Sequence, residues 1–135
     1  AALFGAGCWS QKIGNQSTGA VTTGNGEYLI KTLLAREICT SIYDCECPTT
    51  KLNQVFVEKF LKSPMLPRNQ EYYAGCLVID YNSEHKRGDL LYAHTTKMLC
   101  LGFKSSNEKS AKFISSSLPD VSQAGHKVIV GGISF

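Results

Sequence analysis

Thr22 and Thr23 run into Gly24-Asn25-Gly26, and Glu27 then opens a stretch of helix-forming residues. A hydroxyl beside the backbone N–H groups of a glycine turn, ahead of a helix, favours negative charge. If that charge develops on a carbonyl oxygen, Thr23 and the Gly24 amide form an oxyanion site for acyl transfer. Phosphate fits less well. A Walker loop places Lys after its last glycine, whereas Glu27 follows Gly26 here. The dinucleotide fingerprint needs a third glycine where Leu29 stands. A structural alternative stays open: a plain strand-to-helix connection in which the glycines allow positive φ or close packing and Thr23 caps the helix.

An oxyanion site needs a nucleophile and a base. The chain has three histidines: His85 in a charged loop, His126 in a polar segment, and His94 in an apolar run before Thr95 and Thr96. Spacing nominates no Ser-His-Asp or Cys-His set, so the residues themselves give half a site. The six cysteines are Cys8, Cys39, Cys45, Cys47, Cys76 and Cys100. Cys45 and Cys47 are spaced C-x-C, and no His or second Cys pair stands at zinc-site spacing. Most of the six lie in apolar runs, where cysteine behaves as a small buried hydrophobe. They read as reduced thiols, without metal or intrachain disulfide, of a cytoplasmic or nuclear protein.

The elements that must position the turn follow from periodicity. Gly19–Thr23 reads as a strand, and Gln11–Thr18 before it as a turn. Glu27 to Asp44 reads as one helix, with Ile30, Leu33, Leu34, Ile38 and Ile42 on its buried face. Glu27 and Lys31 pair at i,i+4 on its outer side. A second helix spans Thr50 to Leu61, with Leu52, Val55, Phe56 and Phe60 inward, and stops at Ser63-Pro64. The second half changes period. Gly75–Tyr81 is a near-continuous apolar strand of the kind buried on both faces. Leu90–Thr96, Met98–Phe103, Lys112–Leu118 and Lys127–Gly132 are further strands, the last an edge or closing strand. Segregated helices and a mostly antiparallel sheet give an α+β layered architecture. Such a chain can close one side of a sheet sandwich but not both.

At 135 residues the chain is one domain, or part of one. Its net charge of +3 is scattered, with no basic run, which argues against nucleic acid as a partner. No apolar stretch approaches the roughly 20 residues needed to span a bilayer. The chain opens at Ala1 without Met, and the apolar segment Ala1–Trp9 reads as the continuation of something before it.

Three stretches, "AALFGAGCW", "TTGNGEYLIKTLLARE" and "AHTTKMLCLGF", together resemble the β-subunit of the threonine aspartase (taspase) branch of the asparaginase and isoaspartyl-peptidase family of N-terminal-nucleophile hydrolases. The likeness runs in order over the whole chain. The hydroxyl-Gly-x-Gly-Glu turn is common to the wider family; Leu33–Glu37 and His94–Thr96 are closer to the taspase branch. The resemblance implies a four-layer αββα sandwich, of which residues 1–135 are the C-terminal portion of the β-subunit. It implies an α-subunit from the same precursor as partner, with dimerisation of the αβ unit. The precursor cleaves itself and frees a threonine whose hydroxyl attacks the substrate carbonyl, its own α-amino group serving as base, with no cofactor or metal. Substrate proteins are cut after aspartate.

In the family, the residues matching Thr23 and Gly24 line the oxyanion and substrate site, and the glycine matching Gly26 shapes the same turn. The nucleophilic threonine, a Gly-Gly turn and a carboxylate-holding arginine would precede Ala1, which has no hydroxyl and is not the nucleophile. This chain by itself is therefore expected to be inactive. The taspase turn carries Ser-Gly-Cys-Gly, whereas this chain has the asparaginase-type threonine in Thr23-Gly24-Asn25-Gly26. An isoaspartyl peptidase or asparaginase of the same family is the alternative, and a truncated non-catalytic relative is another.

Overall fold

The computed structural model describes residues 3–135, so Ala1 and Ala2 of the apolar N-terminal segment lie outside the described residues. Two strands open the fold, β1 (Cys8–Ile13) and β2 (Gln16–Gly24), joined by a two-residue turn with Gly14 at φ 57°. The polar run Gln11–Thr18 is thus strand on both sides of Gly14-Asn15 rather than a turn. Its polarity misleads because β1 is a sheet edge, and its polar side chains are used. Gln11 Nε2 donates to the Cys39 carbonyl at 3.0 Å, and Gln16 Nε2 donates to both Asp80 oxygens at 3.0 and 2.9 Å.

After β2 come α1 (Gly26–Thr32), α2 (Leu34–Ile42) and α3 (Pro48–Gln54), the last running on as a π-helical segment, Val55–Leu61. The single helix expected over Glu27–Asp44 is broken at Leu33, which takes the left-handed conformation at φ 47°, ψ 45°. The partners of the freed helix end explain the break. The amides of Ala35 and Arg36, orphaned at the start of α2, donate to the carbonyls of Ala6 and Gly5 at 3.4 and 3.0 Å. The break also resets the buried face. Leu29, Leu34, Ile38 and Ile42 are buried, whereas Ile30 and Leu33 are 46% and 37% exposed. In the second helix Leu52, Val55, Phe56 and Phe60 are all buried, as its periodicity requires. Among the described residues no helix is long and apolar enough to cross a membrane.

The remaining strands are β3 (Ala74–Asn82), β4 (Arg87–His94), β5 (Met98–Phe103), β6 (Lys112–Ser117) and β7 (Ile129–Ser134). Five of the seven form one antiparallel sheet in the order β1-β2-β3-β4-β7, with β7 at the edge. β5 and β6 leave it as a separate two-stranded ribbon. The architecture is mixed α+β.

All the helices cover one face of the sheet. Ala20, Cys76, Val78, Leu91 and Ala93 alternate toward them and meet Leu34, Ile38, Leu52, Phe56 and Phe60 in one core. The opposite face is only partly covered. At one end the ribbon crosses it: Leu99 Cδ1 lies 3.4 Å from the position of a Cβ on Gly75, and His94 on β4 bonds Ser116 on β6. Between the ribbon and β1 the sheet is bare. Val21 and Ile79 are 53% and 50% exposed, with Leu77 half-buried between them. β3, whose sequence asks for burial on both faces, is therefore covered on both only at its Gly75 end. Leu77 lines the cleft shared with Leu99 and Leu101 of the ribbon, and Ile79 beyond it has no second layer among the described residues.

Candidate functional site

The Thr22-Thr23 pair divides its work between the two faces of β2. Thr22 points to the helix side, where its Oγ1 donates to the Ala6 carbonyl at 2.6 Å and its amide donates to the Gly7 carbonyl at 2.9 Å. Thr23 points to the opposite side, exposed, with its methyl against Gly75. Its hydroxyl makes no hydrogen bond among the described residues, so it is unspent.

Gly24 is the last residue of β2 and sits at φ 137°. A Cβ there would lie 2.2 Å from the Tyr73 carbonyl oxygen and 2.7 Å from Ala74 Cα. Glycine is therefore required twice, for the conformation and for the close approach of β3. Ladder alternation directs its amide away from β3. The next amide, of Asn25, is the one that reaches the Tyr73 carbonyl, at 2.8 Å. The Gly24 N–H makes no turn, loop or side-chain hydrogen bond among the described residues.

Asn25 locks the corner. Its side-chain oxygen accepts from the Tyr73 amide at 2.9 Å, and its carbonyl accepts the first helical amides, Tyr28 and Leu29, at 2.9 and 3.1 Å. Asn25 is also the N-cap of α1, and no side chain bonds that cap. Thr23 is consequently not a helix cap; it lies in the strand, two residues before the cap. Gly26 opens the helix with an ordinary φ and open space around its Cα, so the turn's shape rests on Gly24 and Asn25. Glu27 is turned outward in an ion pair with Lys31 at 2.6 Å, as the i,i+4 spacing predicts.

Beside Thr23 lies a cleft of about 290 Å³ between β2–β3 and the ribbon, walled by Val21, Leu77, Leu99 and Leu101. No histidine, aspartate or glutamate lines it. Thr23 thus brings one donor to an apolar wall that Cys76 and Cys100 also line, while Gly24 stands at the strand end outside the cleft.

Among the described residues one Ser-His contact is in hydrogen-bond reach, on the same face of the sheet, with His94 across Gly75 from Thr23. His94 Nε2 is 2.9 Å from Ser116 Oγ, and Nδ1 is 2.9 Å from the Thr96 carbonyl. Nδ1 therefore carries the proton and Nε2 accepts from the serine. Both residues are buried and no carboxylate completes a triad, so the pair pins the ribbon to the sheet. Burial holds the imidazole below its ordinary pKa, against the opposing pull of the Thr96 carbonyl. The partnership spans 22 residues and leaves no periodic trace in the sequence. Thr95 is likewise structural: its hydroxyl donates to the Tyr72 carbonyl at 2.5 Å and accepts from the Ala74 amide at 2.9 Å, anchoring the start of β3. His85 and His126 are exposed, and neither lines the cleft beside Thr23. Among the described residues no cluster of His, Cys, Asp and Glu has the arrangement to hold a metal ion. No protein-family model matches the chain.

Proposed function

We propose that this chain is the C-terminal portion of the β-subunit of a threonine-type hydrolase, in the taspase-like branch of the asparaginase and isoaspartyl-peptidase family, that cleaves protein substrates after aspartate. The observation that carries the proposal is the Thr23–Gly24 corner. A hydroxyl without a hydrogen-bond partner among the described residues adjoins, in sequence, the amide of a glycine that admits no side chain, at the end of β2. In this reading a threonine hydroxyl supplied from outside this sequence attacks the substrate carbonyl, and its own α-amino group takes the proton. Charge then gathers on the carbonyl oxygen, toward which Thr23 Oγ1–H and the Gly24 N–H donate. The start of α1 adds its positive end, over a shorter helix than the sequence suggests. A site without acid or base of its own suits a nucleophile that carries its base with it. The reaction calls on no cofactor.

The bare apolar face supports the four-layer form of the same reading. Sheets pack about 10 Å apart through interdigitating inner faces. The surface around Val21, Leu77 and Ile79 suits a second sheet contributed by the remainder of the enzyme, with the α-subunit as partner and the αβ unit dimerising. We infer a cytoplasmic or nuclear setting from the unpaired thiols of Cys39, Cys45, Cys47, Cys76 and Cys100.

The test is turnover by the assembled α and β chains on three substrates: a peptide with an internal aspartate, an isoaspartyl dipeptide, and asparagine. Cleavage after aspartate supports the proposal. Turnover of only the isoaspartyl dipeptide or asparagine moves the protein to the alternative branch, which the asparaginase-type Thr23 would suit. No turnover of any of the three identifies a non-catalytic relative and overturns the hydrolase reading.

A further inference from the structure

The cysteines divide sharply by environment. Cys39 and Cys76 lie between sheet and helices, and burial pushes both thiols up to about 12, leaving them chemically inert at neutral pH. Cys47 is the opposite case. It is exposed in the connection between α2 and α3, with its Sγ 3.5 Å from Thr49 Oγ1 and 3.1 Å from Thr50 Oγ1. Those hydroxyls, Thr49 before Thr50, and the amides beside them donate to the thiolate and bring its pKa down to about 7. About half of it is then ionised at pH 7, against a few per cent for an ordinary cysteine.

A second thiol shares its surroundings. Cys45, half-buried, lines the same cleft of about 350 Å³, and the chain bends at Glu46 between the two. The other titratable groups lining that cleft are Tyr43, Asp44, Glu46 and Lys51. Burial, with Asp80 behind it, raises the Cys45 thiol, so it stays protonated while Cys47 ionises. An exposed nucleophilic thiolate and a protonated neighbour in one cleft are the parts of a peroxide-reactive pair.

We propose that Cys47 is a hydroperoxide-sensitive thiol that closes onto Cys45 as a C-x-C disulfide. In the first step the Cys47 Sγ–O bond forms as the peroxide O–O bond breaks, and the departing oxygen takes a proton and leaves as alcohol or water. In the second step Cys45 Sγ displaces hydroxide from the sulfenic sulfur, and the hydroxide leaves as water with the Cys45 proton. The two electrons lost by the sulfurs end on the peroxide oxygens. The resting state is the dithiol, and a thiol reductant restores it. The site is independent of the Thr23–Gly24 chemistry and lies on the helix side of the sheet.

The experiment exposes the full-length folded protein to one equivalent of hydrogen peroxide at pH 7, then alkylates it and maps the cysteines by mass spectrometry. The expected product is a peptide holding both Cys45 and Cys47, about 2 Da lighter and unalkylated, ahead of any change at Cys100. In Cys45→Ser, dimedone traps a sulfenic acid at Cys47, with at least about tenfold more adduct than in wild type, where the disulfide consumes it. The alkylation rate of Cys47 in unoxidised wild type rises with a midpoint near 7. Oxidation of Cys8 or Cys100 before Cys47, a Cys47 alkylation midpoint near 9, or equal dimedone trapping in wild type and Cys45→Ser would each overturn the proposal.

Discussion

At the residue scale the chain separates positions that look alike in sequence. Thr22 and Thr23 are identical neighbours, yet strand alternation gives one a carbonyl partner and leaves the other unspent. The candidate pair Thr23 and Gly24 was legible because a hydroxyl-glycine turn before a helix has few uses. The roles of Asn25 and Tyr73 were not, since their bond crosses 48 residues. The two glycines also part company. Gly24→Ala forces a Cβ into the Tyr73 carbonyl and should cost about 3 kcal/mol or more in chemical denaturation. Gly26→Ala meets nothing within 4 Å and should stabilise by about 0.5–1 kcal/mol. Equal losses at both positions would mean that the turn is not built as described.

At the element scale, the ribbon β5–β6 depends on a buried contact that local sequence does not encode. Ser116→Ala leaves His94 Nε2 without a partner and should lower stability by about 1–3 kcal/mol, without lowering turnover by the proposed αβ assembly. A large loss of kcat with unchanged melting would instead make the pair catalytic. The same histidine predicts the direction of a pH effect. Its folded pKa lies below the ordinary 6.5, so the unfolded chain takes up the proton first as pH falls. Stability should be complete above that value and decline below it, and a melting temperature followed from pH 7.5 to 5.5 in wild type and His94→Gln reads the difference. The steeper decline belongs to wild type; identical slopes would remove His94 from the account. Helix periodicity located the buried residues of α2 and α3 but not the break at Leu33. Its cause is the arrival of the Gly5 and Ala6 carbonyls from a distant segment, which no local pattern carries.

At the scale of the whole molecule, the strand written for two buried faces was the most informative element. Gly75–Tyr81 reads as a both-sides-buried run, and the described residues cover its outer side only toward Gly75, leaving Ile79 half exposed, so sequence and structure disagree where another layer would sit. The strand content of the second half was legible from its apolar runs. The departure of β5 and β6 from the main sheet was not, because pairing partners are set by tertiary contacts. The chain alone should be inactive for want of a nucleophile, and its bare patch should bind a hydrophobic dye and drive self-association. Replacing Val21 and Ile79 together with serine should greatly reduce dye binding while leaving the far-ultraviolet circular dichroism unchanged, and should prevent pairing with the α-subunit we propose as partner. A monodisperse wild-type monomer that unfolds cooperatively and binds no dye would contradict this.

The most direct test of the central claim is the Thr23→Ala variant of the proposed αβ assembly, with kcat, KM and melting temperature measured on the same preparation. Removal of one oxyanion donor predicts a fall in kcat of roughly 10²–10³-fold, a smaller change in KM and an almost unaltered melting temperature. Thr23 makes no side-chain hydrogen bond among the described residues and is not the cap of α1, so the fold does not depend on its hydroxyl. A variant that turns substrate over at the wild-type rate, whether or not it melts earlier, would contradict the assignment of Thr23 and Gly24 as the oxyanion site.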